Sequence, residues 1–175
     1  MLKINTIQGT VETFDDVALP ETGRDLWTSG ALATDNNIYY MPANARRILK
    51  LNPDNDTLSS AGDDLGGEGV DEYEGTVVGN DDCVYGIPFA AKHIVKFDPT
   101  NPNTASTIGE EAKGWFLCGN GVLAAGDGYI YSANGFGQVL TVDTMHNNYT
   151  WIGGRIDSRG TGFSCPIIGA DQCIY

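Results

Sequence analysis

A short apolar motif returns at a nearly fixed interval along this chain, and that periodicity limits the fold more than any other feature. Ile38-Tyr39-Tyr40-Met41-Pro42 recurs as Val84-Tyr85-Gly86-Ile87-Pro88 and as Ile130-Tyr131-Ser132-Ala133-Asn134. Ile174-Tyr175 repeats the first two positions, and successive copies start 46, 46 and 44 residues apart. A second motif comes after each copy: Ile48-Leu49-Lys50-Leu51-Asn52-Pro53, Ile94-Val95-Lys96-Phe97-Asp98-Pro99, then Val139-Leu140-Thr141-Val142-Asp143 one residue early. Leu2-Lys3-Ile4-Asn5 is the tail of another copy. A third run precedes each Tyr, as in Gly30-Ala31-Leu32-Ala33, Thr76-Val77-Val78-Gly79, Gly121-Val122-Leu123-Ala124 and Pro166-Ile167-Ile168-Gly169. A weaker fourth run, such as Ser106-Thr107-Ile108-Gly109 or Tyr149-Thr150-Trp151-Ile152-Gly153, closes the unit. A unit of about 45 residues cannot bury its own apolar faces and must stack on its neighbours.

Each unit is thus four short apolar runs rich in β-branched and aromatic residues. Polar turns such as Asp35-Asn36-Asn37 and Gly126-Asp127-Gly128 separate them. Such runs read as strands, and turns of this chemistry tolerate the positive φ of tight hairpins. No segment keeps a helical apolar period. The expected fold is all-β, a β-propeller of four-stranded antiparallel blades with strands A to D counted outward from the axis. Residues 2–14 supply strands C and D, residues 24–62, 73–109 and 115–153 three full blades, and residues 163–175 strands A and B. Three arrangements stay open. The two half-blades close a four-bladed ring, the chain is a piece of a larger propeller, or two chains share one ring.

The Asp-Gly-x-Ile-Tyr and Val-x-Lys-Phe-Asp-Pro copies resemble the tandem repeats of kelch-like, streptogramin-lyase-like and quinoprotein-like propellers. The likeness covers residues 2–175. It implies blade architecture and leaves the subfamily open, since the paired glycines of kelch blades and the Trp-Asp of WD blades are not repeated. The lyase group uses a catalytic histidine with acidic partners. Neither His93 nor His146 maps onto that set, so no activity carries over.

Function on a rigid repeat scaffold is expected on loops. The B-to-C loops place Arg46, Arg47, Lys92, His93, Asn134 and Gln138 on one face, and the D-to-A loops add acidic residues including Asp63, Asp64, Glu72, Glu110 and Glu111. Trp115, with Trp27, Tyr73 and Phe163 at the same repeat position, stands just before strand A, either as a stacking ring or as packing between blades. These residues form the candidate binding face. His146 falls in a C-to-D turn at the opposite end. No nucleophile elbow, metal spacing or dinucleotide motif is found, so no catalytic residue, metal or cofactor is expected.

A formal charge of −13 and a pI near 4.2 repel phosphate backbones, which argues against nucleic acid as a partner. No apolar run reaches membrane-span length, and no basic stretch precedes an apolar one as in a signal peptide. Cys83, Cys118, Cys165 and Cys173 form no C-x-x-C pair and are expected as buried free thiols. Asn55 and Asn148 head glycosylation acceptors in C-to-D turns. The expected role is a non-catalytic scaffold that binds a protein or glycan through its loop face. A lyase- or hydrolase-type enzyme and a structural component of a larger assembly are the alternatives, and self-assembly is expected if the ring is incomplete.

Overall fold

The computed structural model describes residues 2–13, 19–66, 72–111, 118, 122–123, 127–154 and 166–175. Three four-stranded antiparallel meanders succeed one another along the chain. The first holds β3 (Trp27–Leu32), β4 (Ile38–Pro42), β5 (Ile48–Asn52) and β6 (Thr57–Ala61). The second holds β7 (Tyr73–Val78), β8 (Val84–Pro88), β9 (Ile94–Phe97) and β10 (Ala105–Ile108). The third holds β11 (Val122–Leu123), β12 (Tyr129–Ala133), β13 (Val139–Asp143) and β14 (Asn148–Ile152). A separate hairpin, β1 (Leu2–Asn5) with β2 (Thr10–Thr13), precedes them. Near the C-terminus Ile167 and Tyr175 exchange both backbone hydrogen bonds at 3.0 Å, which makes a short second hairpin. The all-β, propeller-like repeat of the sequence is therefore present. Among the described residues no sheet closes on itself and none joins the two terminal hairpins. No helix there is long and apolar enough to cross a membrane.

The repeated Asp and Tyr explain why the motif recurs. In every copy the Asp accepts the Tyr hydroxyl four residues on: Asp35 from Tyr39 at 2.8 Å, Asp81 from Tyr85 at 2.8 Å, Asp127 from Tyr131 at 2.9 Å and Asp171 from Tyr175 at 2.7 Å. The other carboxylate oxygen accepts the backbone N–H two residues on, from Asn37, Cys83, Tyr129 and Cys173. One side chain thus shapes the A-to-B turn and, for Tyr39 and Tyr85, also satisfies the hydroxyl of a ring that is packed inside.

Sheets stack face to face. Tyr39, Met41 and Ile48 of the first sheet pack against Tyr73, Val84, Val95 and Phe97 of the second. Tyr85, Ile87 and Ile94 of the second pack against Ile130, Leu140 and Val142 of the third. The second sheet is covered on both sides, so β8 is buried at every position, whereas β12 alternates. Inner strands sit side by side: Thr28 Oγ1 donates to Tyr73 O at 2.7 Å, Ser29 Oγ to Thr76 Oγ1 at 3.0 Å, and Thr76 Oγ1 to Ser29 O at 2.7 Å.

Trp27 and Tyr73 are the first residues of β3 and β7, paired with Pro42 and Pro88, rather than residues preceding the strand. A register shift after each of them carries the strand past the motif, which sequence alternation does not reveal. Tyr73 is buried in the core, as a packing residue would be. Cys83 and Cys118 are free and buried, while Cys173 is free but exposed; Cys165 lies outside the described residues. Burial pushes the Cys118 thiol up to about 12, which leaves it an inert apolar group.

Thr141 takes the strand position of Lys50 and Lys96, opposite Tyr131 as they stand opposite Tyr39 and Tyr85. Its hydroxyl is buried and has no hydrogen-bond partner among the described residues. A buried hydroxyl without a partner is a net cost. Thr141→Val should therefore raise the unfolding free energy by about 1 kcal/mol in urea titration; a loss of stability would show that the hydroxyl is satisfied.

Candidate functional site

The loop between β8 and β9 is held at its root by one carbonyl. Glu72 O, just before β7, accepts the N–H groups of Phe89, Ala90 and Ala91 at 2.9, 3.2 and 3.1 Å. The first sheet repeats the device, with Leu26 O accepting from Ala43, Asn44 and Ala45 at 2.8, 3.2 and 3.0 Å. Three donors on one acceptor fold each B-to-C loop back over the start of strand A and fix the position of the next residues. In the second sheet the residues so presented are Lys92 and His93.

These two residues wall a pocket of about 450 Å³ formed by the second sheet and the link that enters it from the first. Leu65 and Gly66 of the link between the sheets, Glu72, Tyr73, Val95 and Thr107 complete it. Its volume is in the range of small-ligand sites. Tyr73 and Val95 give it an apolar floor. Burial, and then the neighbouring Glu72 charge, push the Tyr73 hydroxyl up, so it stays neutral. His93 Nδ1 is buried and has no hydrogen-bond partner among the described residues. Lys92 Nζ pairs with Glu111 Oε1 at 2.6 Å, and this contact, with the ammonium charge, holds the Glu111 carboxyl below its usual range.

The other candidates are placed differently. Arg46 forks onto Asp64, with Nε 2.8 Å and Nη2 2.7 Å from Oδ2. Arg47 donates Nη1–H to Gly62 O at 2.6 Å. The Glu21 carboxylate accepts both backbone N–H groups of Arg46 and Arg47, at 2.8 and 3.0 Å, and Trp27 Nε1–H donates to Arg47 O at 2.8 Å. The arginine loop is thus tied down on several sides. It adjoins the pocket through Leu65, whose N–H donates to Arg46 O at 2.8 Å. Asn134 is buried and organises its own turn: its Oδ1 accepts from Phe136 N at 3.0 Å and Gln138 N at 2.9 Å. Gln138 is half-buried there. Trp115 lies outside the described residues. His146 stands at the other end of the strands, with Nδ1 2.8 Å from Asp143 Oδ2.

Sequence reasoning groups Lys92, His93 and Glu72 on one face, and the structure brings them to one pocket. It misses Leu65 and Thr107, which bear no chemical signature: Leu65 enters from the link between the sheets, and Thr107 from β10 beside Val95.

Strand order, stacked sheets and adjoining inner strands define a propeller-like repeat protein. The solved structures that resemble it bear this out. Virginiamycin B lyase from Staphylococcus aureus, in a catalytically inactive form with quinupristin, overlays with a TM-score of 0.75 at 12% identity, covering 99% of this chain and 54% of that one. A streptogramin B lyase overlays at 0.70 and 14% identity, with 95% and 51% covered. The extracellular domain of a one-component system from B. thetaiotaomicron overlays at 0.60 and 11% identity, with 83% and 18% covered. At these identities the likeness is one of fold, and the chain spans about half the length of the lyases. No protein-family model and no curated protein matches the chain.

Proposed function

We propose that this chain is a binding propeller that takes a polar ligand, a peptide or a glycan, in the pocket formed by its second sheet and the link before it. The observation that carries the reading is the make-up of that pocket, where Lys92, His93 and Glu72 stand beside Tyr73 and Val95. The apolar floor of Tyr73 and Val95 with a polar rim of Glu72, Lys92 and His93 has the make-up of a recognition site. Among the similar structures, the virginiamycin B lyase with quinupristin supports a ligand on this architecture.

Peptide and glycan arrays probed with the whole chain test this. A hit should weaken about tenfold in His93→Ala, the effect of one lost hydrogen bond in a desolvated site. Arrays with no binding above background would remove the reading. A lyase- or hydrolase-type reaction with His93 as general base rests on the place of His93 in the pocket lining and on the lyases among the similar structures. Mass spectrometry of the bound probe separates the two. An altered mass that disappears in His93→Ala indicates chemistry, and an unchanged mass indicates binding alone.

A further inference from the structure

A second cavity lies at the opposite end of the strands from Lys92 and His93. Its volume is about 370 Å³, within the range of small-ligand sites. Asp81 enters it from the A-to-B turn of the second sheet, and Asp127 and Tyr129 from that of the third. Asp143, Met145 and His146 close it from the C-to-D turn of the third sheet. Both sheets are complete four-stranded meanders packed on each other, so the walls of the cavity are fixed within the repeat.

The three carboxylates are not equivalent. Asp81 already has a cation, the Lys96 ammonium at 2.6 Å. Asp143 Oδ1 accepts the N–H groups of Met145 and His146, both at 3.0 Å, and its Oδ2 lies 2.8 Å from His146 Nδ1. Asp127 accepts only from uncharged donors, the Tyr129 N–H and the Tyr131 hydroxyl, each at 2.9 Å. Among the described residues no lysine or arginine pairs with it. The repeat shows why. Asp35 and Asp81 have Lys50 and Lys96 on a neighbouring strand, at 3.9 and 2.6 Å, whereas the third sheet has Thr141 at that position. Asp127 thus keeps a charge that its two predecessors balance from within the chain.

We infer that this cavity binds an organic cation, a guanidinium or primary ammonium group on a short alkyl chain, with Asp127 as its counter-ion. The walls suit such a group. Tyr129 supplies an aromatic ring and Met145 a polarisable thioether, which favour a cationic head and an alkyl stem. A metal ion does not fit. Among the described residues no three His, Cys, Asp or Glu side chains stand close enough to share one, so the carboxylates are spread along the cavity, as an extended ligand requires.

The chain carries out the same recognition on itself next to Asp81. There the Lys96 ammonium lies 2.6 Å from the carboxylate, 2.8 Å from Asn147 Oδ1 and 5.6 Å from the centre of the Tyr85 ring. A carboxylate and an aromatic ring hold one alkylammonium, and Asp127 with Tyr129 offers that pair again without a lysine. The net charge of −13 also draws cations toward the surface. This site is separate from the pocket of Lys92 and His93, and neither reading depends on the other.

Isothermal titration calorimetry of the whole chain tests the inference with two probes, agmatine and a three-residue peptide with a central arginine and blocked ends. Saturable binding of agmatine alone marks the ligand as a free amine, and binding of the peptide marks it as a side chain of a basic partner; each supports the cation site. N-butylurea, which keeps much of the shape without the charge, should not bind. Asp127→Asn retains an acceptor for Tyr129 N–H and Tyr131 and should weaken binding about tenfold. Tyr129→Leu, which leaves the Asp127 carboxylate in place, should weaken it about threefold. Asp35→Asn removes the same charge from the first sheet, away from the cavity, and should bind as the wild type does. Any of three results overturns the inference: no saturable binding of either cation, wild-type binding by Asp127→Asn, or an equal loss in Asp35→Asn.

Discussion

Phe97→Ala is expected to lower the unfolding free energy by about 3–5 kcal/mol, the usual loss for a large aromatic removed from a close-packed core. Phe97 ends β9 and is fully buried, turned toward the first sheet rather than the third. Its ring centroid lies 5.0 Å from that of Tyr39, a tilted aromatic contact across two sheets. Gly62, which follows β6, packs beside it: a Cβ there would sit at ordinary contact distance, 3.6 Å from the Phe97 ring, so the φ of 70° rather than space calls for glycine. Truncation empties the join between sheets that share no backbone ladder, so little backbone movement can refill it. Urea unfolding measures the loss, and Phe97→Leu serves as the volume control at about 1 kcal/mol. Since whole domains are stable by only about 5–15 kcal/mol, the alanine variant is expected to be marginal. A loss under about 1 kcal/mol for Phe97→Ala would mean that the two sheets are not joined through this ring.

The repeat is legible because its strongest positions serve the fold twice. Tyr85 reads in the sequence as a strand residue; in the structure it packs one sheet on the next and caps the Asp81 turn. Such residues leave a periodic trace. The loop face leaves none. Glu21 reaches the backbone of Arg46 and Arg47, and Arg46 reaches Asp64, over separations that match no repeat. Asn134 reads as a presented polar side chain, yet its oxygen is used up on its own turn, a choice Asn makes readily and sequence does not record. His93 is visible as a loop histidine, but its unsatisfied nitrogen is not, because that depends on which side chains stop short of it. Curvature, and with it ring closure, stays hidden because every unit carries the same local signals whatever the number of units in the ring.

Asp81→Ala should cost about 2–3 kcal/mol and should flatten the acid side of the stability curve. The carboxylate lies 2.8 Å from the hydroxyl of fully buried Tyr85 and 2.6 Å from the Lys96 ammonium, which is itself mostly covered. Alanine leaves both donors without that acceptor and removes the Asx bond to Cys83 N. Breaking a fully buried pair costs about 3–5 kcal/mol, and the value here is lower because the Asp81 side chain keeps some access to water and Lys96 retains Asn147. Burial alone would push the Asp81 carboxyl up, but hydrogen bonds from Lys96 and Tyr85, with the lysine charge, bring it below its usual value. A carboxyl depressed in the folded state adds stability above its unfolded pKa, near 4, and that contribution is lost as pH falls through the lower folded value. Wild-type stability should therefore decline below about pH 4. The decline should be shallower in Asp81→Asn, which keeps an acceptor for Tyr85 without a titrating proton. Asp35 is depressed in the same direction, through Asn37, Tyr39 and Lys50 acting against burial, but its lysine stands off at 3.9 Å. The Asp81 change should thus remove more of the acid slope than Asp35→Asn. Urea midpoints for the three proteins between pH 2 and 7 settle the comparison, and an Asp81→Asn profile superimposable on the wild type would show that this carboxylate does not couple protons to folding.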